Sequence, residues 1–79
     1  MIIRFTRSAR KHWIGRGRAL EVMAHTEPIR GIRADGTAER SWYGPDSRGV
    51  MLTIVGIIVP DRHTGEEMLL IVHVMPDYD

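Results

Sequence analysis

The 79-residue sequence contains no cysteine. It therefore has no disulfide bond, no thiolate zinc site and no cysteine nucleophile. A domain of this size buries only about 60% of the surface that its unfolded chain exposes, so its stability is expected to be marginal. Because disulfides are excluded, association with a partner chain is the remaining source of stability, and a homodimer is one such association.

Long apolar runs are also lacking. The longest stretch, from Val50 to Val59, is interrupted by Thr53 and Gly56 and is much shorter than a membrane span. The first six residues include Arg4 and do not form the apolar core of a secretory signal peptide. These features predict a soluble, cytoplasmic protein with no membrane association.

Acidic residues are absent from the first 18 positions, which hold six lysines and arginines. The net charge of +1 therefore hides an asymmetry, because residues 1–40 carry an excess of positive charge and residues 41–79 an excess of negative charge. Clustered positive charge is typical of a surface that meets phosphate. A solvated helix face, whose aliphatic stems cover apolar surface, is the alternative interpretation.

Periodicity and turn residues predict the element order β-α-α-β-β-β-β in a single domain, residues 1–79. Strands are expected at residues 1–5, 29–33, 39–43, 50–59 and 68–75, and helices at residues 8–13 and 16–25. The turns are of hairpin length. The sequence therefore predicts an α+β domain with an N-terminal strand, one or two short helices and a mostly antiparallel four-stranded meander.

Several burial predictions accompany these elements. The strand at 50–59 is apolar on both parities, so both of its faces are expected to be covered. Gly56 is expected to mark a bulge or a close backbone approach. Trp42 and Tyr43 must face opposite ways, which places one of them in the core. Trp13 is expected to turn toward the sheet, together with Ala9.

His12 and His73 are the candidates for acid–base chemistry. A histidine near neutral pKa is suited to proton transfer, and two of them flanking a phosphodiester could cleave RNA. One would take the proton of the 2′-hydroxyl and the other would protonate the leaving oxygen. His73 also shares its strand parity with apolar Leu69, Ile71 and Met75, so a satisfied core histidine is the alternative.

The other polar candidates have structural explanations. His25 ends a helix, where a cation meets the helix dipole favourably, and His63 lies in a turn. Asp35, Asp46 and Asp61 also lie in turns, where aspartate hydrogen-bonds nearby backbone. The histidine spacing does not match a metal site, so neither a metal nor another cofactor is expected.

Four short motifs carry a family resemblance. They are the "RKH-x-I" of residues 10–14, the "DG…ERSWYG" of residues 35–44, the "RGVMLTIVGIIV" of residues 48–59 and the "LLIVHVMP" of residues 69–76. In this order they resemble the BrnT-like members of the RelE/ParE toxin group. The resemblance implies a metal-independent RNA endonuclease of a type II toxin–antitoxin module, acting on free or ribosome-bound RNA and neutralised by an antitoxin protein that also binds DNA.

The resemblance also assigns residues. Lys11 and His12 match the basic pair that begins the family pattern, Arg40 matches the arginine of its "ERW" strand, and Arg48 is a looser candidate. The related toxins have a serine and a basic residue near their last strand, whereas this sequence has "HVMPDYD". The missing arginine would otherwise stabilise the transition state. Three outcomes follow: His73 supplies the lost function, the chain is a weakened toxin, or the fold is reused purely for binding.

These considerations lead to one main hypothesis and two alternatives. In the main hypothesis His12, His73 and Lys11 are catalytic, and phosphate is held by Arg7, Arg10, Arg16, Arg18, Arg40 and Arg48. One alternative is a non-catalytic module that uses the same fold to bind protein or nucleic acid. The other is a small DNA-binding regulator.

Overall fold

The structure, a computed structural model, describes residues 1–10 and 13–77. Its elements are β1 (Ile2–Phe5), a 3-10 helix (Ser8–Arg10), α1 (Arg16–His25), β2 (Ile29–Ile32), β3 (Ala38–Pro45), β4 (Met51–Pro60) and β5 (Glu67–Pro76). The predicted bounds of α1 and of the strands are confirmed to within two residues. The prediction of a first helix over residues 8–13 is confirmed as a 3-10 helix at Ser8–Arg10 and is wrong at Trp13, which has left-handed backbone. Lys11 and His12 lie outside the described residues.

The strands form one mixed sheet in the order β1-β5-β4-β3-β2. The pairs β2–β3, β3–β4 and β4–β5 are antiparallel, whereas β1 pairs in parallel with β5. The sheet therefore has five strands and not the predicted four, because the N-terminal strand joins the meander at its far edge. The α+β class is confirmed.

Helix α1 packs on β3 and β4. Its Ala19 and Val22 are fully buried in one core cluster with Leu52 and Ile54 of β4. The close approach depends on Gly44, because a Cβ atom there would lie 2.5 Å from Cγ2 of Thr26. The helix thus covers one face of the sheet.

The other face of the sheet is not covered by any element within residues 1–10 and 13–77. Its centre, hereafter the open face, consists of Val55, Ile57 and Val59 of β4 and Met68, Leu70 and Met75 of β5. The prediction that both faces of β4 are covered is therefore wrong. Both parities of β4 are apolar, but a single short helix can pack on only one face.

A β-bulge interrupts the pairing of β4 with β5. Val55 is opposite His73 and the next residue, Gly56, is opposite Ile71, so Val72 is the extra residue. A Cβ atom on Gly56 would lie 2.9 Å from Cδ1 of Ile71. The prediction of a bulge or close approach at Gly56 is confirmed on both counts.

The bulge changes which side chains of β5 face the core. Ile71 lies in the core before the bulge and Val74 after it. Two residues on the other face, Val72 and His73, lie between them, whereas a regular strand would have one. His73, opposite Val55, lies with Met75 on the open-face side. The prediction that His73 shares a face with Ile71 is therefore wrong, because simple alternation does not hold across a bulge.

The predictions for Trp42, Tyr43 and the three turn aspartates are confirmed. Trp42 is buried and Tyr43 is half exposed on the opposite face. The carboxylates of Asp35, Asp46 and Asp61 accept hydrogen bonds from backbone amides of their own turns. In the described part of the chain, no helix has the length and apolar character needed to cross a bilayer.

Candidate nucleic-acid interface

The chain turns sharply where β1 ends. The amide of Thr6 donates to the carbonyl of Ile71 at 2.9 Å, which continues the parallel pairing by one residue. The hydroxyl of Thr6 then accepts a hydrogen bond from the amide of Ala9 at 3.2 Å and caps the 3-10 helix. Ala9 is buried in the core, so Arg7 and Arg10 on either side of it are exposed at the edge of the sheet.

Arg10 and Arg16 meet at a hollow beside β1. The hollow has a volume of about 210 Å³, and the two arginines line it together with Arg4, Ile3 and Phe5. The guanidinium carbon of Arg16 lies 5.3 Å from the centre of the Phe5 ring, in a cation–π contact. Arg16 is thereby held beside Arg10 while its charge stays exposed to solvent.

Arg16 is also the first residue of α1. Gly15 precedes it and supplies no side-chain cap, and the first turn contains no acidic residue. The partial positive charge of the helix N-terminus therefore adds to that of the arginines. A negatively charged ligand at this edge would meet both.

Trp13 projects from the same segment. Its side chain is 92% exposed, although Ile14 and Ala9 close by are buried. Its φ angle is +60°, a left-handed conformation that costs a non-glycine residue about 1–2 kcal/mol. The prediction that Trp13 turns toward the sheet is wrong, because the adjacent Ile14 occupies the core instead.

Backbone hydrogen bonds keep Arg7, Arg10 and Trp13 close together, and Arg10 and Arg16 line the same hollow. The amide of Arg10 donates to the carbonyl of Arg7 at 3.1 Å, and the amide of Trp13 donates to the carbonyl of Arg10 at 3.2 Å. We refer to Arg7, Arg10, Trp13 and Arg16 as the basic edge. It combines three exposed guanidinium groups with an exposed indole.

Arg18, which was predicted to hold phosphate, has a different environment. Its Nε donates to Oδ2 of Asp46 at 2.6 Å, and the side chain is only 21% exposed. Burial acts most strongly on the pKa of Asp46 and would raise it. Hydrogen bonds from Arg18 and from the amides of Val50 and Arg48 outweigh burial, so this pKa lies below its ordinary value of 3.8. The pair joins α1 to the β3–β4 turn.

Arg40 and Arg48 lie away from β1. Arg40 is half-buried on β3, opposite Gly56, and donates to the carbonyl of Glu39 at 2.9 Å. Arg48 is exposed on the β3–β4 turn, which Asp46 connects to the first turn of α1. Arg48 therefore lies at the same end of the sheet as the basic edge, whereas Arg40 lies three strands away from β1.

The structure describes one of the three predicted catalytic residues. His73 is half-buried on β5, the strand that the 3-10 helix contacts. His12 and Lys11 lie outside the described residues, so the spacing of the two histidines stays a prediction. Among residues 1–10 and 13–77 no cluster of three or more histidine or carboxylate side chains could hold a metal ion.

Sequence reasoning missed two features of this molecule. The exposure of Trp13 had a signal in the sequence, since only one residue of the Trp13–Ile14 pair can face the core. The open face had no such signal, since the pattern of β4 is the same whether one face or both are covered.

Comparison with protein-family models, curated proteins and solved structures returned no match.

Proposed function

We propose that the protein binds single-stranded RNA at the basic edge and cleaves it without a metal, as the toxin of a toxin–antitoxin module whose partner protein neutralises it. The observation that carries the proposal is Trp13, which is held in solvent between arginines at a cost in backbone energy. Residues kept in such conformations cluster at functional sites. An exposed indole and the exposed guanidinium groups of the same segment are the two components that a single-stranded nucleic acid requires.

The two components have separate roles in binding. An exposed indole can stack on an unpaired base, which contributes about 1–3 kcal/mol per base. Arg7, Arg10 and Arg16 can contact phosphate oxygens on either side of that base, and arginine does so through two parallel hydrogen bonds. Bases in a duplex are already stacked, so this arrangement favours single strands or loops.

The structure gives less support to a DNA-binding regulator. A recognition helix needs several polar side chains on the face that enters the major groove. In α1, Arg18 is engaged by Asp46, and Ala19 and Val22 are packed on the sheet. Arg16 is the one remaining basic side chain near its start, which is too little for base recognition.

Cleavage is the finer part of the proposal. One histidine of the His12–His73 pair would accept the proton of the 2′-hydroxyl, which attacks the adjacent phosphorus, and the other would donate a proton to the departing 5′-oxygen. The products are a 2′,3′-cyclic phosphate and a 5′-hydroxyl. Lys11 and the arginines would stabilise the negative charge on the phosphorane oxygens.

Binding is tested by titrating the protein with a single-stranded RNA of about 12 nucleotides, within the range that small domains occupy. We expect the fluorescence of Trp13 to be quenched, while Trp42 is buried and serves as an internal reference. Arg10→Gln should weaken binding and reduce the slope of log K against log salt by about 0.7. Arg62→Gln, an equal charge change on the exposed β4–β5 turn, is the control. Equal loss in both variants would contradict binding at the basic edge.

Cleavage is tested separately with an end-labelled RNA in the presence of EDTA. His12→Ala and His73→Ala should each abolish cleavage without unfolding the protein, and should leave RNA binding unchanged. If both variants cleave normally, the histidine mechanism is wrong. If wild-type protein binds RNA but never cleaves it, the non-catalytic binding module is the better interpretation. Co-expression with the product of an adjacent gene tests the antitoxin.

A further inference from the structure

The open face is an apolar surface with nothing packed on it in the described part of the chain. Its side chains on β4 and its Met68 and Leu70 are half-buried, and Met75 is 40% exposed. At one end a cavity of about 490 Å³ opens beside Val59, Met68 and Leu70. A contiguous apolar patch of this extent on a small domain indicates an interaction site.

Charges on the two sides of the open face have opposite sign. The strand register aligns Arg4 of β1 with Leu70, Leu70 with Ile57, and Ile57 with Glu39 of β3. This row across four strands therefore has a positive side chain at one end, two apolar side chains in the middle and a negative side chain at the other end. With neighbouring strands about 4.8 Å apart, the two charges are separated by roughly 14 Å.

This row is complementary to itself. A two-fold axis that runs parallel to the strands, between β4 and β5, exchanges the two sides of the row. It places Leu70 of one copy over Ile57 of the other, and Arg4 of each copy over Glu39 of the other. Because Arg4 lies 3.8 Å from Asp61 and Glu39 lies 3.3 Å from Arg33, pairing would extend two existing ion pairs and would not bury an isolated charge.

The area of the open face reaches the lower bound expected of a specific interface. Strands β1, β5, β4 and β3 span about 19 Å in width, and ten residues of β4 or β5 span about 34 Å in length. Because β1 has only four residues and β3 only eight, the face offers on the order of 500 Å² per copy, or about 1,000 Å² in total, which is the lower bound for a specific interface.

We infer that two copies of this chain pack face to face through the open face, as a two-fold dimer with Arg4–Glu39 pairs on both sides of an apolar centre. The dimer has four layers, α1–sheet–sheet–α1, and buries apolar side chains that a single short helix leaves exposed. The basic edge lies outside the contact, so RNA binding does not depend on dimerisation. His73 lies inside it, opposite Val55 of the other copy, so the dimer would be a resting form with respect to cleavage through His73.

The inference is tested by charge reversal and sedimentation analysis over a range of protein concentrations. Wild-type protein should be dimeric. R4E places glutamate against Glu39 of the other copy, and E39R places arginine against Arg4, so each should weaken dimerisation at least about tenfold. An equimolar mixture of R4E and E39R should recover wild-type affinity, because a heterodimer then has opposite charges at both contacts.

Two controls separate this result from effects within one chain. R30E reverses an exposed charge on β2, on the helix side of the sheet, and E27R reverses an exposed charge after α1; both should remain dimeric. A monomeric wild type would overturn the inference, and the partner of the open face would then be a protein of different sequence. A wild-type dimer that tolerates R4E and E39R, or a mixture that stays monomeric, would also overturn it. RNA binding by E39R, measured in parallel, reports on the basic edge independently, because Glu39 lies three strands away from β1.

Discussion

Arg18 contacts one carboxylate oxygen of Asp46 through both Nε and Nη2, at 2.6 and 2.5 Å. The same carboxylate accepts the amides of Arg48 and Val50 through its other oxygen, at 2.8 and 3.0 Å. One buried aspartate therefore shapes the β3–β4 turn and attaches α1 to it. The pair connects the element that covers the core with the sheet that forms it.

This pair makes stability depend on acid pH. The pKa of Asp46 in the folded chain lies below its ordinary value of 3.8, so the unfolded chain binds a proton more readily than the folded chain. The carboxylate therefore stabilises the fold above pH 3.8, and this contribution is lost as the pH falls from 3.8 through the lower folded pKa.

Asp46→Asn should lower the thermal unfolding midpoint at pH 7 and flatten the decline of that midpoint in acid. The reason is that asparagine keeps an acceptor for the turn amides but has no charge for Arg18. Circular dichroism melts between about pH 2 and pH 7 measure both effects. Glu27→Gln, at an exposed carboxylate, should change neither. An unchanged acid decline in Asp46→Asn would show that other carboxylates control it.

Gly44→Ala should destabilise the fold by about 1–3 kcal/mol, as expected for overpacking. The added methyl would meet Cγ2 of Thr26 at 2.5 Å, where α1 ends against β3. Gly31→Ala, where a Cβ atom meets nothing within 4 Å, is the matched control and should be neutral. Thr26→Ser removes the opposing methyl but keeps the hydroxyl that donates to Val22. The double variant should therefore recover most of the loss in denaturant unfolding.

Trp13→Gly should separate stability from function. Glycine adopts a φ of +60° without strain and Trp13 buries almost nothing, so the free energy of unfolding should stay unchanged or rise by up to about 1 kcal/mol. RNA affinity should fall by roughly 5- to 150-fold if the indole stacks on a base. Denaturant titration and RNA titration measure the two quantities. A large loss of stability would mean that Trp13 has a structural role.

Deletion of Val72 should be tolerated, whereas deletion of Leu70 should not. Val72 is the extra residue of the bulge, so its removal makes β5 regular while Ile71 and Val74 stay in the core. Deletion of Leu70 shifts the residues before it to the opposite face, because side chains alternate along a strand. We expect cooperative unfolding for the first variant and loss of fold for the second, measured by circular dichroism. Equal tolerance would mean that the register of β5 is not set by its core residues.

Much of the candidate site depended on information that one segment of sequence does not contain. The concentration of positive charge in residues 1–18 was apparent, and Arg7, Arg10 and Arg16 are exposed together. Arg18 belongs to the same run, but it is engaged by Asp46, 28 positions away. Whether a basic residue is exposed or paired is decided by the residues that the fold brings to it, and those lie far along the chain.

By itself the sequence determined where α1 and the strands begin and end, because helix periodicity, β-branched runs and the glycine and proline turns are local properties. The tertiary structure alone decided that β1 joins β5 in parallel, that a bulge at Val72 moves His73 off the core side, and that one face of the sheet remains open. Each of these depends on pairing or packing between distant segments. An apolar strand has the same local pattern in either environment, so only the assembled sheet determines which of its faces is covered.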